Sequence, residues 1–277
     1  MSAAHGEYAL ERTQQEYERL ARQAAILEPM TRRTFTDAGV SAGMRVLDLG
    51  SGAGDVSLLL AEMVGSAGSV VGLDLDAAAI AHARERVAAA GIRNVTFEQC
   101  DFLSYVSATH FDAIVGRLIL FYQAEPAASL AAVARYLKPG GAVAFMEPWF
   151  RPLPVMNNVM GAVVTLIHET FRRSGAQMDL GPRLHNVFVK AGLPLPKMRF
   201  EYAVDGAPDS PLFQYMTDTY ANLLPKAMEY GIPTAEKLAT LEEIPRRMAE
   251  EAREMGYAAM VAPLFSAWTK TRASSFS

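Results

Sequence analysis

The chain has 277 residues, of which 51% are hydrophobic and 20% are charged, a composition that excludes a disordered or fibrous protein. With 26 Lys and Arg against 30 Asp and Glu, its formal net charge is −4, which excludes the basic surfaces typical of proteins that bind nucleic acid or anionic membranes. The single cysteine, Cys100, excludes an intrachain disulfide and a cysteine-rich metal site, and no metal is predicted.

The first predicted element is a helical region over residues 8–35, where apolar residues recur at helical spacing between charged ones. Pro29 is expected to end or kink this helix. No apolar leader is found before it, and no apolar stretch of the sequence is long enough to cross a bilayer. The sequence therefore predicts a cytoplasmic protein that is not inserted in a membrane. The exposed amphipathic helix is also compatible with a homodimer or a higher homo-oligomer.

From residue 44 onward, short apolar runs alternate with alanine-rich helical stretches, which predicts parallel strands joined by helices. The predicted strands are residues 45–49, 70–74, 95–99, 111–115 and 142–146. The predicted helices between them are residues 55–64, 76–90 and 126–137. This order is typical of a doubly wound α/β fold with right-handed crossovers.

After residue 148 the alternation stops. An amphipathic helix near residues 156–171, a half-exposed strand near 198–204, helices divided by prolines over 210–256 and a last strand over 258–269 are predicted there. The chain is thus expected to divide into an N-terminal helical cap (1–40), a ligand-binding core (41–148) and a region of lid helices and final strands (149–277).

Three alternate glycines follow the first predicted strand, at Gly50, Gly52 and Gly54. Glycines at such a turn let a ligand approach the backbone, and the N-terminus of the next helix attracts an anion. A nucleotide is therefore the expected ligand. The dinucleotide fingerprint G-x-G-x-x-G would need a glycine where Asp55 stands, which disfavours a nicotinamide-dependent oxidoreductase.

Two carboxylates follow the second predicted strand. Asp74 lies at its tip, where a carboxylate can accept hydrogen bonds from both hydroxyls of a ribose. Asp76 is better placed to cap the following helix, which leaves Asp74 for the ligand.

The segment from Asp48 through the three glycines resembles the first motif of class I S-adenosylmethionine-dependent methyltransferases. Residues 99–102 after the third strand and the Lys138–Gly141 turn before the fifth are similar to later landmarks of that family. The N-terminal region resembles its bacterial small-molecule branch. The resemblance implies a Rossmann-like, mostly parallel seven-stranded sheet with a helical cap and helical lid insertions, and S-adenosyl-L-methionine as the cofactor.

The resemblance also implies roles for individual residues. Asp101 would accept from the adenine amino group and Phe102 would flank the ring, while Arg19, Gln23 or Arg117 would bind the methionine carboxylate. The complete set of predicted cofactor-binding residues is Tyr17, Gln23, Asp48, Gly50, Ser51, Gly52, Gly54, Asp74, Leu75, Asp101, Phe102 and Arg117.

Three residues are the candidates for catalysis. Glu147 ends the fifth predicted strand, on the sheet edge where such folds bind ligands. His168 lies on the apolar row of a predicted helix, facing either the core or a substrate. Tyr8, or Tyr17, would shield the sulfonium. A fourth side chain, His185, is an alternative contact to substrate.

The exit of the fourth strand reads Gly116-Arg117-Leu118-Ile119, unlike the Asn/Asp-Pro-Pro-Tyr/Phe motif of enzymes that methylate nucleic-acid bases. The predicted function is therefore transfer of a methyl group, by in-line displacement, to a small and largely apolar metabolite, as in secondary metabolism. The alternatives are a cofactor-binding protein without methyl transfer (a cyclase or a sensor) and an NAD-dependent oxidoreductase.

Overall fold

The strands of the protein build one large sheet and one small one. A computed structural model describes residues 14–150, 158–235, 238–261 and 263–272. Its strands are β1 (Arg45–Leu49), β2 (Ser69–Asp74), β3 (Val95–Gln99), β4 (Phe111–Arg117), β5 (Leu137–Pro148), β6 (Lys197–Glu201), β7 (Val204–Asp205), β8 (Ala259–Met260) and β9 (Leu264–Lys270). The large sheet has seven strands in the order β3-β2-β1-β4-β5-β9-β6.

The first five strands of the large sheet run parallel, and β9 pairs antiparallel with both β5 and β6. Strand order reverses beside β1, so the crevice expected to bind ligands in doubly wound folds opens at the carboxyl ends of β1 and β4. The predicted Rossmann-like, mostly parallel seven-stranded sheet is confirmed.

The last predicted strand, residues 258–269, is wrong as a single element. Its first part, β8, pairs with β7 in a separate two-stranded sheet, whereas β9 belongs to the large sheet. Pro263 lies between the two strands, and a proline cannot donate a backbone hydrogen bond to a strand ladder.

Helices cover both faces of the large sheet. They are α1 (Gln14–Ala38), α2 (Asp55–Val64), α3 (Ala77–Ala89), α4 (Pro126–Ala134), α5 (Val159–Arg173), α6 (Leu180–Lys190), α7 (Pro211–Glu229) and α8 (Ile244–Met255). A short 3₁₀ turn, Leu120–Tyr122, follows β4. No helix in these described ranges is both long and apolar enough to cross a membrane.

Helix α1 continues through Pro29, so of the two predicted outcomes, an end or a kink of the helix at this proline, the end is wrong. The residues on either side, Leu27 and Met30, are buried in one cluster with Met146 and Leu264 of the sheet. Burial of two large apolar side chains offsets the missing backbone hydrogen bond, because each such side chain contributes about 1.5–3 kcal/mol.

The pleat of β1 shows how the core is divided. Val46 packs into the cluster under α1, α2 and α3, whereas Leu47 packs into the cluster on the opposite face. Side chains two residues apart share a face, so Asp48 points to the same side as Val46. This alternation decides which residues near the strand ends reach the ligand crevice.

Candidate active site

A cavity of about 620 Å³ lies at the carboxyl ends of the parallel strands. One side of it is formed by the glycine wall, which we define as Gly50–Ala53 with Asp74 and Leu75. Another part of its lining carries aromatic side chains. We define this aromatic wall as Phe121, Tyr122, Trp149, Phe150, Phe171, Tyr202 and Tyr215.

Backbone conformation sets the shape of the glycine wall. Gly50 and Gly52 have φ angles of 66° and 51°, which side chains with a Cβ adopt only with strain. A Cβ on Gly50 would lie 2.6 Å from the Ile119 side chain. A Cβ on Gly52 would meet nothing within 4 Å, so the absent side chain leaves open space beside the backbone for a ligand.

Ser51 adds an unused hydrogen-bonding group to this wall. Its side chain lines the cavity, and its buried Oγ has no hydrogen-bond partner among the described residues. Because a buried hydroxyl without a partner is costly, this atom points to a ligand that would complete its bonding.

Asp74 ties the glycine wall to the tip of β2. Its Oδ2 accepts from the backbone N–H of Gly52 at 2.8 Å, and its Oδ1 accepts from the N–H of Asp76 at 2.9 Å. Asp76 itself caps α3 by accepting from Ala78 and Ala79 at 2.7 and 3.0 Å, as predicted. The Asp74 carboxylate is thereby fixed while still lining the cavity.

The neighbouring surface can hold a flat ring. Leu75 is 54% exposed and Phe102 is buried, and both line the cavity together with Cys100. Asp101 does not line it; its Oδ1 accepts from the backbone N–H of Leu103 at 2.9 Å, within its own turn. Leu75 and Phe102 thus line the cavity as predicted, while the contact of Asp101 with the adenine amino group stays a prediction.

Cationic and amide groups surround the part of the cavity nearest α1. Arg117, at the end of β4, lines the cavity and donates from Nη1 to the Thr31 hydroxyl at 3.0 Å. Burial lowers the pKa of Arg117, and the negative charges of Asp55 and Asp48 oppose that effect. Gln23 also lines the cavity, and its Nε2 donates to the Tyr215 hydroxyl on α7 at 2.8 Å.

Arg19 is a further cavity-lining cation, but Glu16 engages it at short range. The Nε and Nη2 atoms of Arg19 donate to the Glu16 carboxylate at 2.6 and 2.7 Å, and both side chains are buried. The positive charge that the cavity receives from this pair is therefore smaller than that from Arg117.

The aromatic wall is built from rings that pack on one another. Phe150 stacks on Phe171 with 5.7 Å between ring centroids, and Phe121 meets the edge of Phe171 at 6.1 Å. Such contacts fix the rings in place beyond what burial alone provides. The wall is therefore a rigid apolar surface against which a flat, apolar molecule can pack.

His168 is the predicted catalytic residue that the structure does bring into the cavity. It lies on α5 with 18% of its side chain exposed, and its Nδ1 is 3.4 Å from Oε1 of Glu169. The polar groups that share this side of the cavity are Gln123, Tyr215 and Thr219. His185, in contrast, is exposed on α6 and does not line the cavity.

Three further predicted cofactor-binding residues do not line the cavity. Tyr17 lies on α1 and stacks on His82 of α3, with 3.9 Å between ring centroids. Asp48 points toward α2, where it accepts from the Ser57 hydroxyl at 2.6 Å; burial raises its pKa to about 7 despite this bond. Gly54 begins α2, and a Cβ there would lie 3.0 Å from Phe97, so this glycine allows close packing of the helix on the sheet.

Glu147 is the largest correction. It is fully buried on the face of β5 opposite to Met146 and Pro148, and it does not line the cavity. Its carboxylate accepts from the backbone N–H groups of residues 119, 120 and 121 at 3.3, 2.9 and 3.2 Å. Burial raises the pKa of Glu147 to about 8, although these three bonds favour the ionised form. Tyr8, the remaining catalytic candidate, lies outside the described residues.

Several cavity residues were not predicted. Tyr215 reaches the cavity from a helix almost 200 positions after Gln23, and no local pattern marks it. Gln123 follows the 3₁₀ turn, and its side chain is buried. Its only signal in the sequence is that it is a polar residue shortly after a predicted parallel strand. Asp55 lines the cavity as well, at the position where the sequence lacks a third spaced glycine.

Comparison with known proteins matches a family model described as methyltransferase domain over residues 40–192, more than half of the 277-residue chain. The chain belongs to this methyltransferase family. The predicted class I methyltransferase membership is thus confirmed, and the similarity gives no support to an NAD-dependent oxidoreductase.

Among curated proteins, this methyltransferase is 37% identical over 119 residues to the ubiquinone/menaquinone biosynthesis C-methyltransferase UbiE of Cellvibrio japonicus, a match that covers 42% of this chain and 47% of UbiE. It is 33% identical over 144 residues to the aklanonic acid methyltransferase DauC of a Streptomyces strain, covering 52% of this chain and 64% of DauC. The match thus spans about half to two thirds of the length of these relatives.

Among solved structures, a methyltransferase from Bacillus halodurans, named as putative in its description, aligns with a TM-score of 0.58 at 14% identity. The alignment covers 88% of this chain and 99% of the other. At this identity the likeness concerns the fold alone. Because it covers 88% of the chain, it includes residues beyond position 192, where the family match ends.

Proposed function

We propose that this methyltransferase binds S-adenosyl-L-methionine along the glycine wall and transfers a methyl group to a small, largely apolar acceptor held against the aromatic wall. The observation that carries the proposal is that both walls open onto one cavity of about 620 Å³. Transfer by in-line displacement needs donor and acceptor side by side, because it depends on proximity and alignment more than on a reactive side chain.

The residues of the glycine wall fit this cofactor. The unpartnered Ser51 Oγ and the open backbone at Gly52 offer a polar cradle, and the fixed Asp74 carboxylate suits the two hydroxyls of a ribose. Leu75 and Phe102 provide apolar surface for the adenine. Arg117, with its buried positive charge, and the amide of Gln23 are the groups we assign to the amino-acid end.

When bound, the cofactor supplies an electrophilic methyl group on a sulfonium. The protein's part is to orient the acceptor and exclude water, and correct placement alone lowers such a barrier by about 7–11 kcal/mol. The packed rings of Phe121, Phe150 and Phe171 serve both purposes. His168 is the group we assign to accept a proton at an imidazole nitrogen, when the acceptor must lose one.

The regional division predicted from the sequence supports the same assignment of roles. We propose that residues 1–40 close over the cofactor, that 41–148 bind it, and that 149–277 select the acceptor. Gln23 of α1 bonds to Tyr215 of α7, so the first and third regions meet at the cavity. The acceptor chemistry in the relatives' names, a C-methyltransferase of quinone biosynthesis and an aklanonic acid methyltransferase, agrees with a small-molecule acceptor.

Two measurements test the proposal. Titration calorimetry with S-adenosylhomocysteine should show a saturable site, and NAD should show none. Incubation with methyl-labelled S-adenosylmethionine and a panel of flat, apolar phenols, enols and carboxylic acids should then label at least one acceptor.

Binding without label transfer to any compound on the panel would contradict the assigned reaction and favour a protein that binds the cofactor without methyl transfer. Absence of S-adenosylhomocysteine binding would overturn the proposal altogether.

A further inference from the structure

A buried carboxylate holds the turn that joins the two walls of the cavity. Glu147, at the end of β5, accepts from three consecutive backbone N–H groups, those of Ile119, Leu120 and Phe121. These groups begin the 3₁₀ turn after β4, where N–H groups have no partner inside the turn itself. Glu147 satisfies all three from a strand 26–28 positions away in the sequence.

The turn held in this way is strained and faces the cavity. Leu118, just before it, has a φ of 57°, and a non-glycine residue in this region is uncommon and costs about 1 kcal/mol or more. Leu118, Ile119, Phe121 and Tyr122 all line the cavity. A strained conformation persists only when its surroundings fix it: the N–H of Leu118 donates to the Met146 carbonyl at 2.8 Å, and Glu147 holds the three residues that follow.

The side chain of Ile119 connects this turn to the glycine wall. Its side chain fits between two glycines: a Cβ on Gly50 would lie 2.6 Å from Ile119 Cδ1, and a Cβ on Gly116 would lie 2.8 Å from Ile119 Cγ2. Because there is no spare room at either contact, a shift of the turn must move Ile119 against, or away from, the backbone of Gly50.

We propose that Glu147 is a positioning residue that sets the shape of the cofactor cradle through Ile119. This proposal rests on the proposed function of the glycine wall and goes beyond it. Glu147 acts at a distance, because its carboxylate faces the turn and does not line the cavity. Removing its acceptors is expected to release the turn from residue 118 to 122, loosen the Ile119–Gly50 contact and weaken cofactor binding in a protein that is still folded.

The test compares Glu147→Gln with Asp112→Asn. Glutamine keeps the size of the Glu147 side chain but replaces one acceptor oxygen with a donor group that faces backbone donors. All measurements are made at pH 9, above the pKa of about 8 to which burial raises Glu147, so that the wild-type carboxyl is ionised and both of its oxygens are acceptors. Asp112 is the matched control, since its carboxylate also accepts from a backbone N–H (Arg45, 2.8 Å) on an adjacent strand, but at the opposite end of the sheet. It does not line the cavity.

Two readouts separate a positioning role from a merely structural one. Amide hydrogen exchange on the ligand-free proteins should show faster exchange at residues 119–121 and 50–52 in Glu147→Gln only. Calorimetry should show S-adenosylhomocysteine binding weakened about tenfold in Glu147→Gln, which corresponds to about 1.4 kcal/mol, and unchanged in Asp112→Asn. A third variant, Ile119→Val, leaves all three bonds to Glu147 intact and should weaken binding by itself.

The proposal is overturned if a folded Glu147→Gln variant exchanges at residues 50–52 as the wild type does, or binds S-adenosylhomocysteine equally well. If Glu147→Gln does not fold, Ile119→Val decides: unchanged exchange at residues 50–52 in that variant overturns the proposal. Failure of the wild type to bind S-adenosylhomocysteine would instead overturn the proposed function, while the exchange experiment would still decide whether Glu147 controls the shape of the wall.

Discussion

The glycine wall and the aromatic wall face the same cavity but are built differently. The glycine wall is mostly backbone, and its main tie joins Gly52 to Asp74, only 22 positions apart. The aromatic wall is made of side chains from α5, α7, the turn after β4 and the segments that follow β5 and β6. Its bond to α1 joins Gln23 to Tyr215, 192 positions apart. The glycine wall is fixed mainly by bonds between neighbouring strand ends, with Ile119 packed against Gly50, whereas the aromatic wall depends on contacts between elements far apart in the sequence.

This difference predicts a division of effects. A surface made of backbone offers the same groups to every molecule that carries the matching nucleoside, so changes there should alter cofactor affinity. A surface made of side chains from distant elements can change without disturbing the strand ends, so changes there should alter acceptor choice and turnover. Substitutions on each wall, each paired with a control variant, test whether the two effects are separate.

The largest effect is expected on the glycine wall from Gly50→Ala. The new Cβ meets Ile119 at 2.6 Å in a residue with a φ of 66°. Left-handed strain of about 1–2 kcal/mol and overpacking of about 1–3 kcal/mol should together lower the free energy of unfolding by about 3 kcal/mol and abolish S-adenosylhomocysteine binding. Denaturant unfolding and calorimetry measure the two quantities.

Gly140→Ala is the control for Gly50→Ala. Its φ is 78°, but a Cβ there meets nothing within 4 Å, so only the left-handed strain of about 1–2 kcal/mol remains. Equal losses of stability in the two variants would show that the contact with Ile119 contributes nothing.

On the aromatic wall, His168→Asn tests the proton acceptor. For an acceptor that must lose a proton, we expect kcat to fall about 100-fold, the lower end of the usual range for general base catalysis, with S-adenosylhomocysteine affinity unchanged. His185→Asn, on an exposed part of α6, should leave both quantities unchanged. A His168→Asn enzyme with full turnover would remove His168 from the chemistry.

Asp74→Ala returns to the glycine wall with a smaller effect. Loss of the carboxylate removes two charge-assisted bonds to the backbone and the acceptors assigned to the ribose, so S-adenosylhomocysteine should bind at least about tenfold more weakly, or about 1.4 kcal/mol. The control is Asp112→Ala, which should change the affinity by less than about twofold because its carboxylate lies at the opposite end of the sheet and does not line the cavity. Similar losses in both variants would mean that Asp74 acts through the stability of the sheet and not through contact with the cofactor.

The two walls also differ in how far the sequence predicts them. The bounds of β1, α2 and β3 agree with the prediction at both ends. The strand β1 is a mostly apolar run, α2 starts after a glycine, and β3, at the edge of the sheet, alternates between buried and exposed residues, so that each leaves a local signal. The loop pattern places Gly50, Gly52 and Asp74 in the cavity, and the family resemblance adds Ser51, Leu75 and Phe102. It does not place Tyr215 and Gln123 there, because tertiary packing alone brings them to the site.

Two of the predicted site residues that lie outside the cavity, Asp48 and Glu147, share one cause. A motif gives a position along the strand but not the face to which the side chain points, and successive residues of a strand face opposite sides. Asp48 and Glu147 each lie at the correct sheet edge, yet each points away from the cavity, toward Ser57 and toward residues 119–121. Tyr17 was misplaced for a different reason, since its ring stacks on His82 of a neighbouring helix.

The smallest effect concerns a feature that the two walls have in common, a buried carboxyl group behind each. Burial raises the pKa of Asp48, behind the glycine wall, to about 7, and that of Glu147, behind the turn that joins the walls, to about 8. In the unfolded chain these groups ionise near pH 4. The folded protein therefore holds protons that the unfolded chain has released, and the stability gained from this is present in full below about pH 4 and is lost as the pH rises through 7 to 8.

The free energy of unfolding should accordingly fall between pH 5 and pH 8.5, by at least about 1 kcal/mol, since a single unit of pKa shift corresponds to 1.36 kcal/mol. Asp48→Asn and Glu147→Gln should each flatten this slope, as chemical denaturation at a series of pH values would show. The pKa of Asp112 shifts in the opposite direction. Burial would raise it, but the bonds to Lys138 and Arg45 lower it overall. Asp112 therefore contributes stability above pH 4 that is lost in acid. Asp112→Asn should therefore leave the dependence of stability on pH above pH 5 unchanged. A wild-type stability that rises between pH 5 and 8.5 would contradict the prediction. It would mean that one or both buried carboxyls are ionised at neutral pH and held by their hydrogen bonds.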